Sequence, residues 1–127
     1  MKTLLFILIC FICGNVFAED DRPIFGHDKW TTSDTVYEST FAVAELSDMF
    51  TTLDIKNHAD IEESNPFLGK HPSDIKVVSL CLGVLVAHYG IATLLSDDAR
   101  RIWQVSATII ELGYVNNNVS LGLHFTF

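Results

Sequence analysis

His88 is the residue whose type fits its surroundings least. It stands in a run of twenty residues, 77–96, that carries no formal charge. An imidazole in such a run needs a partner, and it titrates near neutral pH, so it can serve as base, acid or proton relay. The spacing offers Glu111 as that partner. If the chain turns near 97–99, His88 faces Thr108, and Glu111 lies three residues further on, about 4.5 Å along the helix axis. The alternative is a hydrogen bond from His88 to a backbone carbonyl or hydroxyl that merely orders the packing. Asp48, Glu63, Asn65 and Arg101 complete the polar side chains that could converge with His88 and Glu111 in a pocket.

Other chemistries find less support. The metal donors Asp48, His58, Glu62, Glu63, His71, His88 and Glu111 show neither His-x-x-x-His nor Cys-x-x-Cys spacing, so no metal and no cofactor is expected. Gly-x-Ser-x-Gly is missing, as is a phosphate-cradling glycine loop, and Cys81 has no electropositive setting. No catalytic residue is therefore assigned. Sixteen acidic residues against eight Lys and Arg give a net charge of −8. With no basic stripe, nucleic acid is excluded as a partner, and so is electrostatic adhesion to anionic lipid heads.

These side chains need elements to position them. The run 77–96 lies between Lys76 and Asp97-Asp98. As a helix it would be about 30 Å long, the thickness of a bilayer's hydrocarbon core. It is apolar all round, as a buried or membrane-spanning helix is, and Ser73 is placed to cap its start. Ser96 followed by Asp97 and Asp98 opens another helix, running to about 115 and stopped by Asn116, Asn117 and Asn118. The short link between the two predicts an antiparallel hairpin. Asn118-Val119-Ser120 is a glycosylation sequon.

Upstream, Ser33-Asp34 predicts a helix start, with the helix running from 34 to about 55. Val36, Val43, Leu46, Phe50 and Leu53 recur at helical spacing, and Glu38, Glu45, Asp48 and Thr52 form a second face. Three acids make an independent span costly, about 2.5–3.5 kcal/mol for a central Asp on insertion scales. The expectation is a helix lying against the others with its acidic stripe in water; the alternative is an inward stripe lining a polar cavity. Residues 56–74 connect this helix to the apolar one. Asn65-Pro66, Gly69 and His71-Pro72 break helix there, while Phe67 and Leu68 suggest a segment tucked against the bundle.

At the N-terminus, Lys2, an apolar run over 4–13 and Val16-x-Ala18 form a signal-peptide pattern with cleavage after Ala18. Cleavage would leave Cys81 as the single cysteine, so no internal disulfide is expected. Residues 19–32 form a polar arm. At the other end Val119, Leu121, Leu123, Phe125 and Phe127 alternate as in a strand. The ending resembles the sorting signal of outer-membrane barrels, but a barrel needs at least about eight strands and the middle of this chain is helical in pattern.

The ordered set Trp30, Asp34, Asp48, Thr51-Thr52, Glu63-x-Asn65-Pro66-x-Leu68-Gly69-x-His71-Pro72-Ser73, His88, Arg101-x-Trp103-Gln104, Glu111 and Asn117 resembles a group of small bacterial and phage envelope proteins. These combine a signal-like start, a Glu-x-Asn-Pro-x-Leu-Gly-x-x-Pro-Ser connector, a hydrophobic helix with a central His, and a helix bearing Arg-x-x-Trp-Gln. Here the Arg pair precedes Trp103 by two and three residues. The resemblance implies architecture and carries no activity.

The sequence thus predicts an all-α chain: a signal peptide over 1–18, an arm over 19–32, and a three-helix membrane-associated domain over 33–127, with a short C-terminal strand allowed. The expected role is structural or interactive, in the cell envelope. The inner membrane is favoured and the outer one allowed, and partners would be the membrane, envelope proteins or further copies of the chain. The contact surfaces would be residues 57–73 and the acidic face of the first helix. The alternative is an enzyme or proton- or ion-handling protein built on Asp48, Glu63, His88 and Glu111. Lys70 and Lys76 at one end of the hairpin balance Arg100 and Arg101 at the other, so charge does not orient it.

Overall fold

The computed structural model describes residues 25, 26 and 28–127; the expected signal peptide and half of the arm lie outside them. Among the described residues the chain is all-α: α1 (Thr32–Leu53), a 3-10 turn (Asp54–Asn57), α2 (Asp74–Leu94) and α3 (Asp97–Ser120). α1 is capped two residues earlier than predicted. Thr31, not Ser33, is the N-cap: its hydroxyl accepts the Asp34 N–H, and the Asp34 carboxylate accepts the Thr31 N–H at 2.8 Å. That reciprocal box satisfies two donors that the first turn would otherwise leave open. Ser73 and Ser96 precede α2 and α3 as expected, with acids in each first turn favourable to the helix dipole.

α3 runs through the three asparagines to Ser120. Asn118 does not stop it, because its side chain faces inward. It is 6% exposed and donates to Asp48 Oδ1 and to Thr51 Oγ1, both at 3.0 Å. The amide of the sequon is thus buried and engaged, a setting closed to glycosylation. The helix instead ends where Gly122 takes φ 89°, with Gly122 N–H bonded to Val119 O and Leu123 N–H to Asn118 O. This is the Schellman arrangement, and the left-handed residue it needs is glycine. Leu123, next in line, is 1% exposed.

α1 packs along both other helices and most extensively on α3, whereas α2 and α3 approach each other closely at few points. The predicted tight hairpin is therefore not the central contact. The sequence neighbours are held apart by a cavity, and α1 bridges them. Small residues, Ala44 on α1 with Ala99 and Ala107 on α3, are fully buried and let the backbones come close.

The distribution of polarity is inverted. Asp34, Glu45, Thr51, Thr52, His88, Arg100, Gln104 and Asn118 are buried. Val36, Val43, Leu82, Val86, Ile109 and Leu112 are more than half exposed. Over residues 35–53, 77–94 and 102–120, no charged side chain is among the exposed residues. The acidic stripe of α1, expected in water, points inward. Outward hydroxyls on the same surfaces bond within their own helix, Thr40 to Val36 O and Ser47 to Val43 O.

The C-terminal residues form no strand. They lie across the end of α1, with Thr126 N–H on Phe50 O and the Phe127 ring 4.7 Å from that of Phe50. Alternation of apolar residues there serves docking: Leu123 plugs the bundle, and Asp54 takes the polar groups between. The Asp54 carboxylate accepts from Asn57 Nδ2, His124 N and Thr126 Oγ1 at 2.7–3.0 Å, and His58 Nε2 lies 3.1 Å away. The Asn57 amide, then the His124 N–H, outweigh burial and, with Thr126 and His58, hold this carboxyl well below the usual carboxylate range. A depressed folded pKa gives stability that is complete above the unfolded value of about 4 and is lost as pH falls below it. A spin label at position 125 is expected to be immobile at neutral pH and to gain mobility progressively as pH falls below about 4. In Asp54→Asn it should be mobile throughout; a label equally ordered in that variant would contradict the assignment.

Candidate functional site

The space between α2 and α3 is a cavity of about 380 Å³, closed on the third side by α1 and at one end by the connector. Its walls are mostly carbon, from residues such as Phe41, Met49, Val77, Leu80, Val84 and Ile110. Into this apolar surface three carboxylates are set, Glu45 and Asp48 from α1 and Glu111 from α3. The lining includes neither Lys nor Arg. Exposed Phe67, Ala87 and Ile91 are also among its walls and mark its mouth.

His88 forms part of the wall and is 3% exposed. Its ring is stacked between Phe41, centroids 3.6 Å apart, and Trp103, at 5.2 Å. Trp103 also donates its indole N–H to the His88 carbonyl at 3.3 Å. The partner of the imidazole is Glu38, whose Oε1 is 2.9 Å from Nδ1. The Glu111 pairing inferred from a closed hairpin is thereby replaced. Because α2 and α3 stand apart, the nearest carboxylate across a packed interface comes from α1. The other oxygen of Glu38 accepts Gln104 Nε2 at 2.9 Å, and that same amide reaches Asp34 O at 3.2 Å.

This arrangement has a chemical consequence. With Glu38 ionised, the proton of a neutral imidazole sits on Nδ1, which leaves Nε2 a bare lone pair. Among the described residues, neither His88 Nε2 nor Gln104 Oε1 has a hydrogen-bond partner, although both are buried. Buried polar atoms are nearly always satisfied, so two acceptors open at one level of the bundle single out that level.

Four of the six candidates, Asp48, Asn65, His88 and Glu111, line the cavity together. Glu63 is buried but not among the lining residues; its Oε1 accepts the Asn65 N–H at 2.6 Å. Asn65 Oδ1 in turn accepts the Phe67 N–H, and Gly69 takes φ 78° to close the loop. The connector motif is thus a folded turn that seats Leu68 at 7% exposure and Asn65 at the cavity. Arg101 is exposed and also absent from the lining, so it leaves the set. Its neighbour Arg100 is the buried one, at 1% exposure. Its guanidinium donates to Asp34 and Asp97 and to the carbonyls of Asp28, Ala92 and Leu95, and Trp30 covers it at 5.1 Å. Five donors find five acceptors, which marks a structural lock rather than a reactive group.

Glu38, Glu45 and Gln104 were missed by sequence reasoning. The first two were visible as the α1 stripe and were assigned to water. Gln104 belongs to a stripe on α3, Arg100, Gln104, Thr108, Glu111 and Asn118, whose steps of four, four, three and seven are helical. Among the described residues no group of three or more His, Cys, Asp and Glu side chains is arranged to hold a metal. A double-mutant cycle on Glu38→Gln and His88→Phe, followed by unfolding in detergent, should give a coupling of roughly 1–3 kcal/mol. The same cycle on Glu111→Gln and His88→Phe should stay below about 0.5 kcal/mol; the reverse order would restore the original pairing. Comparison with protein families, curated proteins and solved structures gives no match.

Proposed function

We propose that this protein is a small, non-enzymatic membrane protein of the cell envelope with a structural or interaction role, its three helices embedded in the bilayer. The observation that carries the reading is the inverted polarity. α2 has a mean hydropathy of 2.0 in its most apolar stretch, yet only 22% of that stretch is buried. A core helix of that composition in a water-soluble protein would be covered. α2 is charged only in its first turn, whereas α1 and α3 carry charges along their length, but between their ends they turn those charges inward and leave uncharged surface outside. Lipid is the solvent that matches such a surface, since it favours apolar contact and drives ionisable groups to the interior.

The export signal and the resemblance to small envelope proteins support the envelope as the compartment, with the inner membrane favoured. Because the acidic stripe of α1 faces inward, it is withdrawn as a contact surface. The connector, with Phe67 65% exposed, remains for envelope proteins or further copies of the chain. A second reading, proton or ion handling, is favoured by one observation: the buried, unpartnered Nε2 of His88, a residue that lines the cavity together with Asp48 and Glu111. Glu63, lying outside the lining, plays no part in it.

Carbonate extraction tests the first reading, and the protein is expected to stay in the membrane pellet. Single cysteines placed at Val43, Val86 and Ile109 should resist a water-soluble maleimide in membranes, while cysteines at Lys56 and Lys70 should react. A chain that is freely soluble without detergent, with all five positions reactive, would overturn it.

A further inference from the structure

We propose that the gap between α2 and α3 is a docking groove for the chain's own N-terminal apolar segment, residues 4–18, until cleavage after Ala18 removes it. The segment lies outside the described residues. What points to it is the surface it would cover and the place where the described chain begins. α2 lines the gap from Val77 to Ile91 and α3 lines it from Trp103 to Tyr114. Fourteen residues of α2 at about 1.5 Å each make the groove roughly 21 Å long. α1 closes one side of it. The other side opens between Phe67, Ala87 and Ile91, all exposed and all apolar. Asp48, a polar member of the wall, is met from within the bundle by Asn118. Residues 4–18 carry no charge, and Asn15 is their single amide. At the helical rise, fifteen residues measure about 22 Å, the length of the groove.

The described chain begins at one end of that groove. Phe25 pairs with Leu95, Gly26 N–H bonds Leu94 O, and the Asp28 carboxylate accepts the Asp97 N–H. The arm is thus pinned where α2 turns into α3, at the Ile91–Trp103 end. From Phe25 back to Ala18 an extended chain reaches up to about 23 Å, wider than one helix with its side chains, about 10–12 Å, so it can reach the open side. Lying there, the segment runs in the direction of α2, with residue 13 close to the level of Ala87. A tether this short holds it at a millimolar effective concentration, which favours it over a free lipid chain or a second copy. Ala87 and Ala107 in the wall allow another helix to approach closely, the packing that joins helices in lipid. The inference rests on the bilayer reading of the bundle. Its consequence is that cleavage after Ala18 opens the groove sideways to the bilayer, so the precursor and the processed chain offer different surfaces to partners.

The test uses the full chain, residues 1–127, made by cell-free synthesis into phosphatidylcholine vesicles with no signal peptidase present. Cys10→Ser and Cys81→Ser leave Cys13 alone in the segment. A second cysteine is added by Ala87→Cys at the mouth of the groove or by Val43→Cys on the outer face of α1. Both positions are exposed, so neither change disturbs the packing. Mild oxidation is followed on non-reducing gels, with free thiols counted in the monomer band. The Ala87→Cys chain should close an internal disulfide roughly tenfold faster than the Val43→Cys chain. Equal rates would overturn the inference, as would a monomer that never oxidises. Disulfide-linked dimers in its place would give the groove to a second copy and overturn it too. Carbonate extraction of the same vesicles keeps the two readings apart. A chain that stays in the pellet without the internal disulfide overturns this inference alone, and one that is extracted yet forms the disulfide overturns the membrane reading alone.

Discussion

The inward-facing carboxylates of α1 set the terms for everything else in this bundle. An ionised group left unpartnered in a protein interior costs several kcal/mol, and each such group must therefore be met from another helix. Asp34 is met by Arg100, Glu38 by His88 and Gln104, and Asp48 by Asn118. The three pairings fall at successive levels along α1, and two of them come wholly from α3. They fix the register. Sliding α3 by one residue would turn its polar stripe by about 100° and leave all three levels unmatched. Apolar packing alone, with small side chains at the α1–α3 contact, would tolerate many such offsets.

Much of this was written in the chain, though not all of it in readable form. The three helices, the starts of α2 and α3 after Ser73 and Ser96 and the uncharged run 77–96 follow from composition and spacing, because those signals are local. The errors have a common cause. An acidic stripe opposite an apolar one has the same period whether the apolar side meets a core and the acids meet water, or the apolar side meets lipid and the acids meet each other's partners. Only the matching stripe on α3 distinguishes the two, and it is recognised only when Arg100, Gln104, Glu111 and Asn118 are read as one face. Asn118 shows the same limit: a helix-stopping triplet by propensity, it continues the helix because two of α1's side chains need its amide.

The connector illustrates a different point. Glu63, Asn65 and Gly69, the specific part of the motif, looked like chemistry by type. In the fold they build a turn: a carboxylate bracing one amide, an Asx turn bracing the next, and a glycine where φ is positive. What the turn delivers is Leu68 into the bundle and Asn65 to the cavity. Lys76 then ties its far side through Leu68 O at 2.8 Å. Residue types that suggest catalysis can thus serve to shape backbone, and geometry separates the two roles.

The cavity is what a tighter hairpin would have removed. With exposed Phe67, Ala87 and Ile91 at its mouth, it is open to its surroundings and does not carry the cost of a sealed void. A bundle that locks its register with five hydrogen bonds at Arg100 has the means to close the gap with larger side chains than Ala87 and Ala107. It keeps small ones there, so the gap between α2 and α3 is built into the bundle alongside the polar pairings that fix its register.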